Sequence, residues 1–362
     1  MNSFITSIGT AVPEYQYSLE SFIAWAESTH QLPVSKRKLQ FLAKDAGIDT
    51  KHTVVDDFSY NGEGSLYQWN SEGYTDPLTT KRLENFLPLA TKLGVKAAED
   101  CLKSRGIETS DITHVIAVSC TGIQAPGLEI ALHKALALSN QVERMAVNFL
   151  GCYAAFHAFK MADYICRANP SSKVLIVSVE LCSLHFRNDD TNDNLLSTIL
   201  FSDGAAAAIV EGKKPHKRTS FQWRTFHSAL IREGESDMGW HIGNGGFEMT
   251  LSSRVSQHIG NHIRTVYQEL LDKCAINAID VKGYAIHPGG KNILRAFADA
   301  IGCGEHDLHP SFDVMRRYGN MSSATIMFVL KDILHGDYPD GHYYSAAFGP
   351  GLTVESGMFV RS

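Results

Sequence analysis

No apolar run in this chain reaches the roughly 18 residues that a helix needs to cross a bilayer, so no membrane span is expected. The opening stretch MNSFITSIGTAVPEYQYS has no positively charged start, and polar residues interrupt its apolar ones every few positions. It does not fit a secretory signal, and the expectation is a soluble, cytoplasmic protein. The seven cysteines, at positions 101, 120, 152, 166, 182, 274 and 303, form no CxxC pair. An odd, scattered set argues against a disulfide framework and against a zinc site. No metal or other cofactor is expected. A basic stripe is missing too: the formal charge is -6, and the one basic cluster, GKKPHKR at 212–218, reads as a solvated linker. Nucleic acid is therefore not an expected partner.

What the chain does have is bulk. Its 362 residues, 44% of them apolar, can bury a large core, which fits two domains or one duplicated domain. Residues 81–106 carry apolar positions at helical spacing and stop at a glycine. HVIAVSC (114–120) reads as a buried strand, 128–138 as a helix, RMAVNFL (144–150) as a strand, 152–170 as a helix stopped by proline and KVLIVSVEL (173–181) as a strand. The second half repeats the plan, with a strand and a helix in 281–302, a helix in 319–336 and two closing strands. Short apolar strands alternating with helices predict an α/β fold whose largely parallel sheet is covered on both faces. Set 168 residues apart, Ala117 falls on Ala285, Val118 on Ile286, Gly122 on Gly290, Gly151 on Gly319 and Cys152 on Asn320. One register joins two separate segments, which points to two halves, 1–212 and 213–362, descended from one unit.

Three residues gain meaning from that register. Cys152 stands at a helix start, where the backbone dipole favours a thiolate and a lowered pKa; alone, it reads as a small buried hydrophobe. His287 ends a strand and precedes PGG, at the sheet edge where α/β folds place ligand sites, although a histidine there is often structural. Asn320, before MSSATIMFVL, is well placed to cap a helix. Together the three suit thioester chemistry: a thiolate attacks an acyl thioester, a histidine holds the ion pair, and His and Asn donors steady an oxyanion or enolate.

Around these residues the segments GCYAAFHA, FSDGAAAAIV, YAIHPGGKNIL, RRYGNMSSAT and FGPGLTVE make the chain resemble a type III polyketide synthase, the chalcone synthase-like branch of the thiolase superfamily. The likeness runs from about residue 3 to 360, and the departures from the plant pattern fit a bacterial member. It implies a thiolase-like, five-layered αβαβα fold built from two duplicated halves, a homodimer, and catalysis on an acyl-CoA starter and malonyl-CoA with no carrier protein. By resemblance Cys152 is the nucleophile, His287 its ion-pair partner, and Asn320 the amide that helps His287 steer malonyl-CoA decarboxylation. Phe201 matches a gatekeeper phenylalanine. Met249 stands where plant members carry a second one, and Trp240 where they carry a glycine, so the indole either shortens or redirects the cavity or is a structural tryptophan; the flexible methionine favours an aliphatic starter. Thr121, Cys182, His185, Ser322 and Gly290 are further substrate-binding positions. His185 replaces the small or hydroxyl side chains usual there and is either a space filler or a second acid-base group. Ala125 replaces a methionine that reaches into the partner subunit in plant enzymes. Lys38 and Lys44 are the CoA-binding candidates, with Phe41 where a key arginine is usual, and Gly349, Pro350 and Gly351 shape the cavity floor. A ketoacyl synthase III-like enzyme using a carrier-bound malonyl group is the alternative. A papain-like hydrolase lacks its CGSCW-like setting here, and an inert scaffold would not keep all three reactive residues.

Overall fold

The computed structural model of the chain describes all residues except 1, 31, 60–65, 71–72 and 217, so Lys217 of the basic cluster lies outside the described residues. In chain order the first half runs β1 (Phe4–Ala11), β2 (Tyr15–Ser18), α1 (Leu19–Thr29), α2 (Pro33–Lys44), β3 (Thr50–Thr53), β4 (Gln68–Asn70), β5 (Gly73–Thr75) and α3 (Thr79–Arg105). It continues with β6 (His114–Ser119), α4 (Leu128–Ala135), β7 (Glu143–Asn148), α5 (Ala154–Ala168), β8 (Lys173–Leu181), α6 (Asn192–Leu200) and β9 (Asp203–Glu211). The second half holds β10 (Phe221–Leu230), β11 (Met238–Gly243), β12 (Gly246–Leu251), α7 (Val255–Cys274) and β13 (Val281–Ile286). It closes with α8 (Lys291–Ile301), α9 (His309–Tyr318), α10 (Thr325–His335), β14 (Gly341–Gly349) and β15 (Thr353–Arg361).

Nine strands are joined in the order β13-β14-β15-β10-β1-β9-β8-β6-β7, and the sheet is mixed rather than largely parallel as expected: only β13 with β14, and β6 with β7 and β8, pair in parallel, because β1, β9, β10 and β15 run antiparallel to their neighbours. The join between halves is slight. β1 meets β10 only through Phe4 with Gln222 and Ile5 with Phe221, whereas β1 runs along β9 and β10 along β15. Each half thus builds its own lobe of the sheet. Along β6, Ile116 and Val118 join a core cluster containing α5 and α10, while Val115 and Ala117 join one containing α3 and α4. On β14, Tyr343 and Ala347 face α5 and α10, and Tyr344 and Ala346 face α7 and α8. Strands buried on both faces explain the near-continuous apolar runs. The result is five layers: α3 and α4, the first lobe, α5 with α10, the second lobe, then α7 and α8. The duplication is visible at both ends of β8, which lie 168 residues before the ends of β14.

Two helices differ from their predicted spans. The one expected over 128–138 ends at Ala135, where the chain turns through Ala137 in the left-handed region (φ 49°). The one expected from 319 starts as a tight turn at Ser322–Ala324 and becomes α10 only at Thr325. Its delay has a cause: Asn320 is drawn into an extended bridge with Phe201, through Asn320 N–H to Leu200 O (2.9 Å) and Ser202 N–H to Asn320 O (2.9 Å).

Arg82 of α3 fastens the loop beside the future site. It is fully buried, and its guanidinium donates to Tyr67 Oη (2.9 Å) and to the carbonyls of Pro77 (2.9 Å), Leu184 (2.8 Å) and Phe186 (2.6 Å). Removing it leaves these acceptors buried without a donor, at about 1–3 kcal/mol for each group that water cannot reach. Arg82→Met is expected to lower unfolding stability by about 3 kcal/mol, measured by chemical denaturation; a change under about 0.5 kcal/mol contradicts the assignment.

Candidate active site

The turn carrying Cys152 is forced by its neighbours. After β7, Phe149 (φ 61°) and Gly151 (φ 83°) are both left-handed, and Cys152 lies two residues ahead of α5. A Cβ on Gly151 would come 2.3 Å from Pro350 Cδ, and one on Gly349 2.5 Å from the Tyr153 ring. Only glycines let the GPG turn lie directly against this segment. Gly151 N–H also donates to Cys120 Sγ at 3.0 Å. From the second half, His287 follows β13 and is held by its N–H to Ala346 O (2.8 Å). The Asn320 side chain is oriented: its Oδ1 accepts from Ser322 N–H (2.8 Å), and its Nδ2 donates to Gly289 O (3.3 Å). Asn320 therefore caps the turn at Ser322, as its position suggested, and also turns an amide NH2 to the cavity.

Cys152, His287 and Asn320 all line one cavity. Thr121, Cys182, Phe201, Trp240, Met249, Ser322 and Pro350, expected from the sequence, line it as well. Its walls are otherwise apolar, with Met238, Leu251, Ile293 and Phe348. Three expectations need correction. Gly290 does not line the cavity; it caps the start of α8 beneath Leu200, and Gly289 takes its place. His185 does not line this cavity but the adjoining space that shares Cys182, Phe201, Trp240 and Met249 with it. Its Nε2–H donates to Thr121 O (2.7 Å), its Nδ1 accepts from Phe247 N–H (3.1 Å), and its ring stacks on Phe247 at 4.1 Å. Burial holds its pKa down to about 3, so with both nitrogens committed it braces the wall as a neutral ring. Lys44 does not line the outer groove beside α2, whereas Lys38, Arg37, Phe41 and Arg254 do. That groove shares Leu251 with the cavity.

Electrostatics overturn a fourth expectation. Cys152 is 8% exposed and His287 fully buried. Burial pushes the Cys152 thiol up to about 12, the charge of Glu180 adds to the rise, and hydrogen bonding from Ser322 and Asn320 only partly offsets it. Burial alone holds His287 down to about 3. Cys152 precedes the first turn of its helix, and the loss of water outweighs the helix dipole. Neither His287 nitrogen has a hydrogen-bond partner among the described residues.

Glu180 is the residue that sequence reasoning missed. It closes β8 fully buried and accepts from Cys120 N–H (2.9 Å), Thr121 Oγ1 (3.0 Å) and Ser323 Oγ. Burial raises its pKa, and these donors restrain the rise. The signal was present: a lone acid ending the apolar run KVLIVSVEL needs buried partners.

If Cys152 passes its proton to His287, with burial raising the thiol and lowering the imidazole, Cys152 reactivity should not depend on pH. Iodoacetamide labelling of Cys152 is expected to be flat from about pH 6 to 9, unlike a free thiol. In His287→Ala it should instead climb about tenfold per pH unit. Equal profiles in both proteins contradict a shared proton.

Chains of known kind carry this architecture. The family description "Chalcone and stilbene synthases, N-terminal domain" matches residues 2–215, and its C-terminal counterpart matches 224–362. The chain is 30% identical over 370 residues to "Probable polyketide synthase 1" of Dictyostelium discoideum, covering all of this chain but 11% of that protein. It is 29% identical over 375 residues to "Putative chalcone synthase" of Bacillus subtilis, covering 99% of this chain and 98% of the relative. Among solved structures, the C-terminal type III polyketide synthase domain of Steely1 from Dictyostelium superposes with a TM-score of 0.92 at 29% identity, covering 99% of each chain. PKS-I from the brown alga Ectocarpus siliculosus also gives 0.92, at 27% identity, covering 100% of this chain and 98% of that one. With both halves matched and the thiolase-like fold reproduced, the chain belongs to the chalcone and stilbene synthase family, the type III polyketide synthases, and is an acyl-transferring condensing enzyme.

Proposed function

We propose that the chain condenses malonyl-CoA repeatedly onto an acyl-CoA starter held as a thioester on Cys152, and then closes the polyketide into a pyrone, resorcinol or related ring. The observation that carries this reading is the meeting of Cys152, His287 and Asn320, from both halves, in one apolar cavity. Burial opposes each charge separately, so the thiolate forms only as His287 takes its proton, as a pair. The sulfur attacks the starter carbonyl, a new C–S bond forms, the C–S bond to CoA breaks, and the proton leaves with the CoA thiol.

Malonyl-CoA then enters the emptied site. Its carboxylate loses hydration among apolar walls, and loss of CO2 sends the bonding pair into the thioester carbonyl as an enolate. A His287 N–H and the Asn320 amide, oriented by Ser322, donate to that oxygen; one such donor contributes about 3–4 kcal/mol. The enolate carbon attacks the Cys152 thioester carbonyl, a C–C bond forms, and the C–S bond to Cys152 breaks to free its thiolate. The chain, two carbons longer and now on CoA, returns to that thiolate by thioester exchange for the next round, the CoA thiolate leaving with a proton from solvent. The CoA arm lies in the groove of Arg37, Lys38 and Arg254, which meets the cavity at Leu251. The working unit is a homodimer, and no carrier protein takes part.

The test supplies acyl-CoA starters and free malonyl-CoA without carrier protein and identifies products by mass spectrometry. Cys152→Ala should abolish polyketides, and Asn320→Ala should slow malonyl decarboxylation about 10²–10³-fold. Normal product yield from Cys152→Ala, or turnover only with carrier-bound malonyl groups, rejects the reading.

A further inference from the structure

A second chamber adjoins the catalytic cavity. Cys182, Phe201, Trp240 and Met249 line both spaces, so these four side chains form the partition. Two of them are fixed. Trp240 Nε1–H donates to Cys120 O at 2.7 Å, and its ring stands edge-on to His185 and Phe247. Phe201 closes α6 and bridges to Asn320. Met249, unbranched with three rotatable bonds, is the member that can move aside.

The chamber is walled by Phe22, Phe186, Phe247 and the neutral ring of His185, and holds one cation. Lys51 of β3 is 2% exposed. Its ammonium donates to the carbonyls of Thr198 and Ile199 (3.4 Å for the latter) and stands 4.0 Å from the centre of the Phe22 ring. No carboxylate forms an ion pair with it among the described residues. Asp203, whose charge reaches it, has its two oxygens engaged by the N–H groups of Ser183 and Val54. A buried charge without a counter-ion is costly, and burial draws the Lys51 pKa down to about 7. Capping the end of α6 accounts for the two carbonyl contacts. It does not account for a cavity that opens onto the ammonium.

We propose that the second chamber receives the far end of the acyl group held on Cys152, that Met249 is the passage, and that Lys51 recognises an anionic oxygen there. The favoured starter is then an acyl-CoA with a carboxylate at its distal end. This rests on the reading of Cys152 as the acyl carrier. It uses no new bond-making step, since the carboxylate binds by charge-assisted hydrogen bonding and displaces no group.

The test measures acylation of Cys152 in the full chain by intact-protein mass spectrometry, with octanoyl-CoA, its distal-carboxylate counterpart octanedioyl-CoA, and acetyl-CoA. In Lys51→Met the ratio of octanedioyl to octanoyl rates should fall at least ~30-fold, the size of one buried charge-assisted hydrogen bond. Melting temperature is recorded in parallel. A fall in melting temperature with an unchanged ratio makes Lys51 a helix cap and overturns the proposal. Should Lys51→Met not fold, Met249→Trp decides: narrowing the passage should slow both eight-carbon starters at least ~10-fold relative to acetyl-CoA, and an unchanged ratio overturns the chamber's role. Absence of any acyl adduct on the unmodified protein removes the acyl-carrier reading itself, and this inference with it.

Discussion

Exclusion of water from the junction of the two halves is the constraint on which the rest depends. A thiol driven up to about 12 and an imidazole held down to about 3 are each, separately, poor reagents at neutral pH. In the proposed reaction their opposite charges, in the same buried space, screen little from one another, which favours forming both at once. The same dryness strengthens the amide of Asn320 as a donor to a developing enolate. In the proposed reaction it would also protect an acyl thioester from hydrolysis. Reactivity here comes from what surrounds the cysteine rather than from an acidic thiol.

Duplication explains how the three groups meet. β6, β8 and α5 of one half have counterparts in β13, β14 and α10 of the other, and the paired helices share the middle layer. The strand ends of both halves therefore open at one place. Cys152 comes from the turn before α5, and Asn320 from the equivalent place before α10. The delayed start of α10 is part of this arrangement. Extended backbone at Asn320, tied to Leu200 and Ser202, fixes the amide where a helix begun at 319 would have carried it away.

Much of this was legible in the chain. Apolar runs at strand length and a glycine closing α3 predict strands alternating with helices, and a single register at 168 residues relates residues 152 and 320, whereas the five layers follow from the family resemblance and the largely parallel sheet is replaced by a mixed one. Less legible were properties set by three-dimensional packing. The dipole argument for Cys152 ignored burial, which local sequence does not reveal. Gly290 and Gly289 differ by one residue, and a bend after His287 decides which meets the cavity. His185 looked like a replacement inside the site, yet two backbone partners hold it in the adjoining space. Lys51 drew no notice because a lone lysine near a loop reads as surface. Its burial follows from α1, α6 and β9 closing over it.

The most direct measurement of the central claim is the protonation of His287, read from imidazole nitrogen chemical shifts in the isotope-labelled protein. If burial governs the pair, the His287 signals show no titration step between about pH 5 and 9. A step centred near 6.5, the ordinary midpoint of a solvated histidine, contradicts the account.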